Sequence, residues 1–282
     1  MNRQKERIRD SQLKYKHGLG QNFIYDEALL ETLASLSGVT GEDDVLEIGP
    51  GAGSLTKHLC ARAHAVLALE VDERLIPLLE AFMTGTNNLT VVHGDVMKAN
   101  LPELTASMRH PFHVVANIPY YITTPLISML LAGNLPIASM ALMVQREVAD
   151  KLLSGPGEEG WGPLAVRCQT RCEPRLALEV PASCFTPPPK VDSAFVVMPV
   201  RARPAVEPLD WSDYDRVVAA AFSLRRKTLV NALMATLRME RAQAVLLTET
   251  AGLDPMIRGE RLSIEAFARL SDAYTRTKET KI

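Results

Sequence analysis

Nowhere does this chain stay apolar for the about 18 residues of a membrane-spanning helix. Met1 to Lys16 is polar and charged, without the apolar core of a secretory leader. Cys60, Cys168, Cys172 and Cys184 lack the paired spacing of a zinc site, and Cys168-x3-Cys172 fits two consecutive turns of a helix. Their reading is buried or free thiols in a reducing cytoplasm, which sets the expected location. His17, His58, His64, His93, His110 and His113 show no metal spacing either, so no metal is expected. There is no internal repeat and no low-complexity block. Also missing is the positive charge of a typical polyanion binder: 31 Lys and Arg stand against 33 Asp and Glu. That total hides an asymmetry. Residues 1–25 carry +4, residues 201–282 carry +3, and the stretch 26–200 carries −9. If a polyanion is gripped, the tail and the C-terminal part do it, although chance clustering gives the same numbers.

At 282 residues, 47% hydrophobic and 23% charged, the chain has ample core for one large domain or two ordinary ones. From Val45 to Gln145 short apolar runs alternate with helical patterns, the signature of a parallel sheet covered by helices. Strands are predicted at 45–48, 66–70, 89–93, 113–117 and 139–144, with helices at 54–62, 73–82, 125–131 and 146–153. Asp26 is placed to cap a helix carrying Leu29, Leu30, Leu33 and Leu36. Residues 155–160 form a Gly- and Glu-rich loop. Beyond it come a helix near 164–171 and strands at 175–180 and 193–200, the latter two joined through the stiff Pro187-Pro188-Pro189. Residues 201–208 read as a linker, and a helix is predicted from about Ser212 to Leu237. The divisions are a basic tail (1–25), an α/β domain (26–200) and a small all-helical domain (201–282), with RNA contact expected of the basic last part if a polyanion is bound.

Chemistry gathers at the carboxyl ends of the predicted strands, where open α/β sheets bind ligands. Glu47-Ile48-Gly49-Pro50-Gly51-Ala52-Gly53 follows the first strand and opens a helix. Its glycines allow a sharp turn and close backbone approach to a ligand. A tight turn alone, or a dinucleotide site, would use the same device, but Pro50 departs from the dinucleotide spacing, and no Lys-Ser/Thr pair follows to make a phosphate loop. Glu70 closes the second strand, where an acid meets a ribose diol in such folds. Asp72, just beyond, reads as the cap of the helix from Glu73. Gly94-Asp95 follows the third strand and offers a carboxylate to an adenine amino group, with a plain helix cap as the alternative. After the fourth strand comes Asn117-Ile118-Pro119-Tyr120. The Asn117 oxygen and the Ile118 carbonyl can both accept from one exocyclic amine; Pro119 fixes φ and so aims that carbonyl, and Tyr120 offers a stacking face. Methyl transfer to an adenine amino nitrogen is the implied chemistry.

These segments resemble the small-subunit ribosomal RNA adenine-N6,N6-dimethyltransferases over nearly the whole length. The carriers are residues 19–23 (Leu-Gly-Gln-Asn-Phe), 45–53, 70–72, 94–95, 117–121, 144–149, 185–193 and 222–231. The resemblance implies a Rossmann-like S-adenosylmethionine-dependent methyltransferase domain followed by a small C-terminal all-helical domain. It implies a donor pocket lined by Asn22, Ile24, Gly49, Glu70, Asp95 and Asn117, with Gln21, Glu47, Gly51 and Gly53 beside them. The implied substrate is a pair of adjacent adenosines in the 3′-terminal hairpin loop of small-subunit (16S) RNA, within an immature particle and met by a monomer. Trp161 is a departure, since relatives more often have Tyr there.

A flipped adenine is expected between Tyr120 and Phe185, unless Phe185 is simply core. Phosphate contacts are assigned to Lys190, Arg225, Arg226 and Lys227. Within the predicted helix Arg226 falls on the apolar stripe, and a solvated helix face remains the alternative for the cluster. Two other readings stay open. One is the related large-subunit (23S) adenine-N6 methyltransferase of the antibiotic-resistance type, against which the Arg-Arg-Lys-Thr-Leu-Val-Asn stretch speaks. The other is an assembly factor of the small subunit whose methylation is secondary. A nicotinamide dehydrogenase lacks any hydride chemistry after the fourth strand.

Overall fold

In a computed structural model the chain is described over residues 21–132 and 135–279. The basic tail and Leu19-Gly20 of the donor motif lie outside the described residues. The chain forms two compact units, one holding residues up to Ala149 together with Pro174–Val200, the other Asp150–Glu173 together with Arg201 onward.

In chain order the strands are β1 (Phe23–Ile24), β2 (Asp44–Ile48), β3 (Ala65–Glu70), β4 (Leu89–His93), β5 (Phe112–Asn117), β6 (Ile137–Gln145), β7 (Arg175–Val180), β8 (Phe185–Thr186) and β9 (Ser193–Pro199). Seven of them make one sheet in the order β4-β3-β2-β5-β6-β9-β7, and β1 pairs with β8 separately. The first five of that order are parallel, while β9 runs antiparallel to β6 and to β7. All five residues of β2 are buried, as expected of a central strand covered on both faces. Strand order reverses between β2 and β5, so a crevice opens outside their carboxyl ends. Of the nearby helices, Glu27–Leu36 is capped by Asp26, whose Oδ1 accepts from the N–H groups of Ala28 (2.9 Å) and Leu29 (3.1 Å). The predicted α/β class and the five parallel strands are borne out.

Several predicted features differ. The helix expected from Glu73 begins at Ile76, with a proline in its first turn. Asp72 instead caps the turn before it, accepting from Arg74 N–H (3.3 Å), and its carboxylate also accepts from Gln21 Nε2 (2.9 Å) and from Arg74 Nε (2.8 Å) and NH2 (2.6 Å). Residues 150–173, expected in the catalytic domain, instead bury Trp161, Ala165 and Val166 among Tyr214, Val217, Val218, Leu229 and Phe267 of the C-terminal helices. Trp161 is thus a core residue whose Nε1 donates to the Leu262 carbonyl (3.0 Å).

The long helix expected to Leu237 is two helices, Trp211–Phe222 and Leu229–Leu237. The first helix ends where the turn at Gly259 crosses it so closely that a Cβ there would lie 2.2 Å from the Ala221 carbonyl oxygen. The Ser223 hydroxyl then bonds back to the Ala220 carbonyl (2.7 Å), and Leu229 N–H donates to the Ile257 carbonyl (2.7 Å). Arg225, Arg226 and Lys227 therefore sit exposed in a loop, and Arg226 is on no apolar stripe.

Candidate active site

The carboxyl ends of β2, β3 and β5 converge on one cleft. Gln21, Asn22, Ile24, Glu47, Gly49, Gly51, Glu70, Asn117, Ile118, Pro119 and Tyr120 line it, as do Phe23 and Met143, which sequence reasoning did not single out. The turn after β2 is built around left-handed glycines, with φ of +71° at Gly49, +61° at Gly51 and +91° at Gly53. Side chains are excluded there by strain and by space: a Cβ on Gly51 would lie 2.8 Å from Phe23 Cε1, and one on Gly53 2.6 Å from Leu79 Cδ1. Gly53 shapes the turn from behind and does not line the cleft.

Glu70, only 4% exposed, ends β3 with both carboxylate oxygens held. Oε2 accepts from Gly51 N–H (2.9 Å) and Oε1 from Asp72 N–H (2.8 Å). A carboxylate has about four lone-pair sites, so two remain for hydroxyl donors such as a ribose diol. Burial raises the Glu70 pKa, against the opposing pull of the two N–H groups. Glu47, in the middle of buried β2, is 2% exposed, and its Oε2 has no partner. Burial, followed at a distance by the charge of Glu70, pushes its pKa up to about 8. A buried carboxyl in the cleft wall with one oxygen open suits a cationic ligand group.

The amine-facing corner is equally fixed. Asn117 Nδ2 donates to the Asn22 carbonyl at 3.0 Å, which orients the amide and leaves Oδ1 as the acceptor. Ile118 is held by its N–H on the Met143 carbonyl (3.4 Å), and Pro119 has φ −57° and ψ 129°. Tyr120 opens the 3-10 turn Tyr120–Ile122, and its hydroxyl meets Ser193 Oγ at 2.6 Å. Ser193 is fully buried where β9 begins, opposite Gln145 at the end of β6. Burial raises the Tyr120 pKa, so its hydroxyl stays protonated. Ser193 was missed because a serine at a strand start carries no signal of its own.

Other predicted residues stand elsewhere. Asp95 Oδ1 accepts from Met97 N–H (3.0 Å) and Oδ2 pairs with Lys98 Nζ (3.4 Å), and it caps no helix, because the next helix begins at Leu101. Phe185, 3% exposed, packs in the core with Ile24, Val180 and Phe195, and β8 pairs with β1 in the register Ile24↔Phe185, the core alternative raised for it. Lys190 is exposed on the segment leading into β9, and Arg225, Arg226 and Lys227 are exposed in the second unit. Arg225 NH2 donates to the Glu159 carbonyl at 3.0 Å.

Comparison with known proteins agrees with this geometry. A sequence model of the family described as ribosomal RNA adenine dimethylase matches residues 12–276. The ribosomal RNA small subunit methyltransferase A of Shouchella clausii is 42% identical over 268 residues, which is 93% of this chain and 90% of that protein. The protein of the same name from Enterococcus faecalis is 40% identical over 282 residues, 98% of this chain and 96% of its own. Among solved structures, a dimethyladenosine transferase from Plasmodium falciparum superposes with a TM-score of 0.77 at 25% identity, covering 92% of this chain and 98% of that one. The 23S rRNA methyltransferase ErmE follows with a TM-score of 0.68 at 28% identity, covering 89% and 99%. The chain belongs to the ribosomal RNA adenine dimethylase family.

Proposed function

We propose that the cleft binds S-adenosylmethionine and that the chain dimethylates N6 of two adjacent adenosines in the 3′-terminal hairpin loop of small-subunit ribosomal RNA, as a monomer acting on an immature small subunit. The observation that carries this reading is the fixed Asn117 amide, whose oxygen shares a cleft with the Ile118 carbonyl, Tyr120, Glu47 and Glu70. Glu70 would hold the donor's ribose, and the open Oε2 of Glu47 suits its cationic end. Bound there, the donor supplies an electrophilic methyl group on a sulfonium.

The adenine amino nitrogen is a poor nucleophile because its lone pair is delocalised into the ring. Asn117 Oδ1 and the Ile118 carbonyl take its two hydrogens, favouring a pyramidal nitrogen and stabilising the positive charge that develops on it. Asn117 is neutral, so it orients the amine without acting as a base. Tyr120 stacks on the ring of the flipped base. The methylated nitrogen then loses one proton to solvent, with the neutral thioether as leaving group; a single hydrogen remains, so one acceptor is released before the second transfer.

Tritiated-methyl transfer onto under-methylated small subunits and onto large subunits, followed by nucleoside analysis, tests the reading. Dimethyladenosine in small-subunit RNA alone is the expected result. Label in large-subunit RNA alone would move the substrate to the 23S type, and tight small-subunit binding without label would leave an assembly factor.

A further inference from the structure

Among the described residues Tyr121 is the one exposed aromatic, 59% accessible where every other Phe, Trp and Tyr is buried or half-buried. It directly follows Tyr120, in the same 3-10 turn. Successive residues of such a turn point about 120° apart. Tyr120 is turned inward, its hydroxyl anchored on buried Ser193, and its ring lines the cleft. Tyr121 is therefore turned away from the base that Tyr120 meets, at the cleft mouth. Across the short run into Ser193, Lys190 and Val191 are also exposed, Val191 at 45%.

We infer that Tyr121 is a stacking platform for the nucleotide next to the target adenosine. The inference rests on the function proposed above. Flipping one of two adjacent adenosines removes the stacking partner of the other, and an exposed ring beside the cleft replaces it. Tyr121 thereby holds the neighbouring nucleotide and sets the register in which each adenosine of the pair enters. It touches neither the donor nor the reacting nitrogen. Its contribution is to RNA binding and to the choice of base.

The test uses the full chain and its Tyr121→Ala and Tyr121→Phe variants on under-methylated small subunits. Tyr121→Ala is expected to lower kcat/KM about tenfold or more, mostly through KM, the ordinary effect of removing one stacked aromatic. The donor Kd stays unchanged, and Tyr121→Phe, which keeps the ring, restores the rate. A second readout needs no turnover: an RNA hairpin whose loop holds 2-aminopurine beside an adenosine should be quenched by the wild-type and Tyr121→Phe proteins and not by Tyr121→Ala. Equal kcat/KM for Tyr121→Ala and wild type, a loss that Tyr121→Phe shares, or quenching that survives Tyr121→Ala overturns the inference. A wild-type protein that leaves small-subunit RNA unlabelled defeats the proposed function instead, and the quenching comparison still decides the role of Tyr121.

Discussion

At the scale of single residues, the site rests on pairs of polar groups that would be costly alone. Tyr120, half-buried, and Ser193, fully buried, share one hydrogen bond of 2.6 Å. Ser193→Ala and Tyr120→Phe each strand the other hydroxyl, at about 1–3 kcal/mol of stability. The double variant strands neither. Its melting temperature should be no lower than that of either single variant, and the losses in kcat, about tenfold for Ser193→Ala, should not multiply; additive losses would show that the two act independently. Glu47 makes a different statement. Its folded pKa of about 8 lies above the ordinary 4.5, so the folded unliganded protein keeps a proton that the unfolded chain gives up. This stabilisation is full below about 4.5 and is lost as pH rises through about 8. Glu47→Gln should flatten that decline in thermal melts. A cationic donor seated against Glu47 would ionise it, so donor binding at pH 7 should release up to one proton. Calorimetry in buffers of different ionisation enthalpy reads this directly, and release unchanged in Glu47→Gln would remove Glu47 from the donor site.

Among the elements, the two ends of the parallel strands divide the labour between stability and chemistry. At the amino end of β2, Asp44 is 4% exposed, and its carboxylate binds His64 Nδ1 and Arg109 N–H, each at 2.7 Å. The donor turn is a whole strand away, about 13 Å at 3.3 Å per residue. Asp44→Ala leaves the Arg109 N–H without its partner and should cost about 2 kcal/mol. The expected outcome is a melting temperature several degrees lower with donor affinity unchanged; a parallel loss of affinity would mean that the two ends are coupled. This division also explains what was legible in the sequence. The strand ends could be read because each carries its own chemistry in a short run: the glycine turn at 49–53, Glu70, and Asn117 to Tyr120. What could not be read depends on partners far along the chain. That Phe185 packs with Ile24, Val180 and Phe195 depends on the pairing of β8 with β1, which no local run of residues announces. Asp72 looks like a helix cap, yet it caps only the turn at Arg74 and also holds Gln21, 51 residues away. The helix through Ser223 looks continuous until the crossing turn at Gly259 ends it.

For the whole molecule the question is how a chain of net charge −2 holds a ribosomal RNA. The excess of +3 counted over residues 201–282 falls to +2 when residues 150–173, which fold with them, are included. Net charge is therefore too small to be the grip, and placement must supply it. We propose that the break at Ser223–Thr228 does this: it gathers Arg225, Arg226 and Lys227 in six residues of loop, where a continuous helix would have spread them around its axis. Three cations on one loop can neutralise neighbouring phosphates together, each releasing counterions, with a slope of about 0.7–0.9 in log K against log salt per contact. Replacing all three with Ala should make the slope of small-subunit RNA binding shallower by about 2–3. Donor affinity, fixed by the cleft of the other unit, should not change. Replacing Arg225 alone should have a smaller effect than Arg226 or Lys227, because its guanidinium already donates to the Glu159 carbonyl. Filter binding across a salt series measures these slopes. An unchanged slope in the triple variant would place the RNA on another surface, and the loop would then be no more than a solvated turn between two helices.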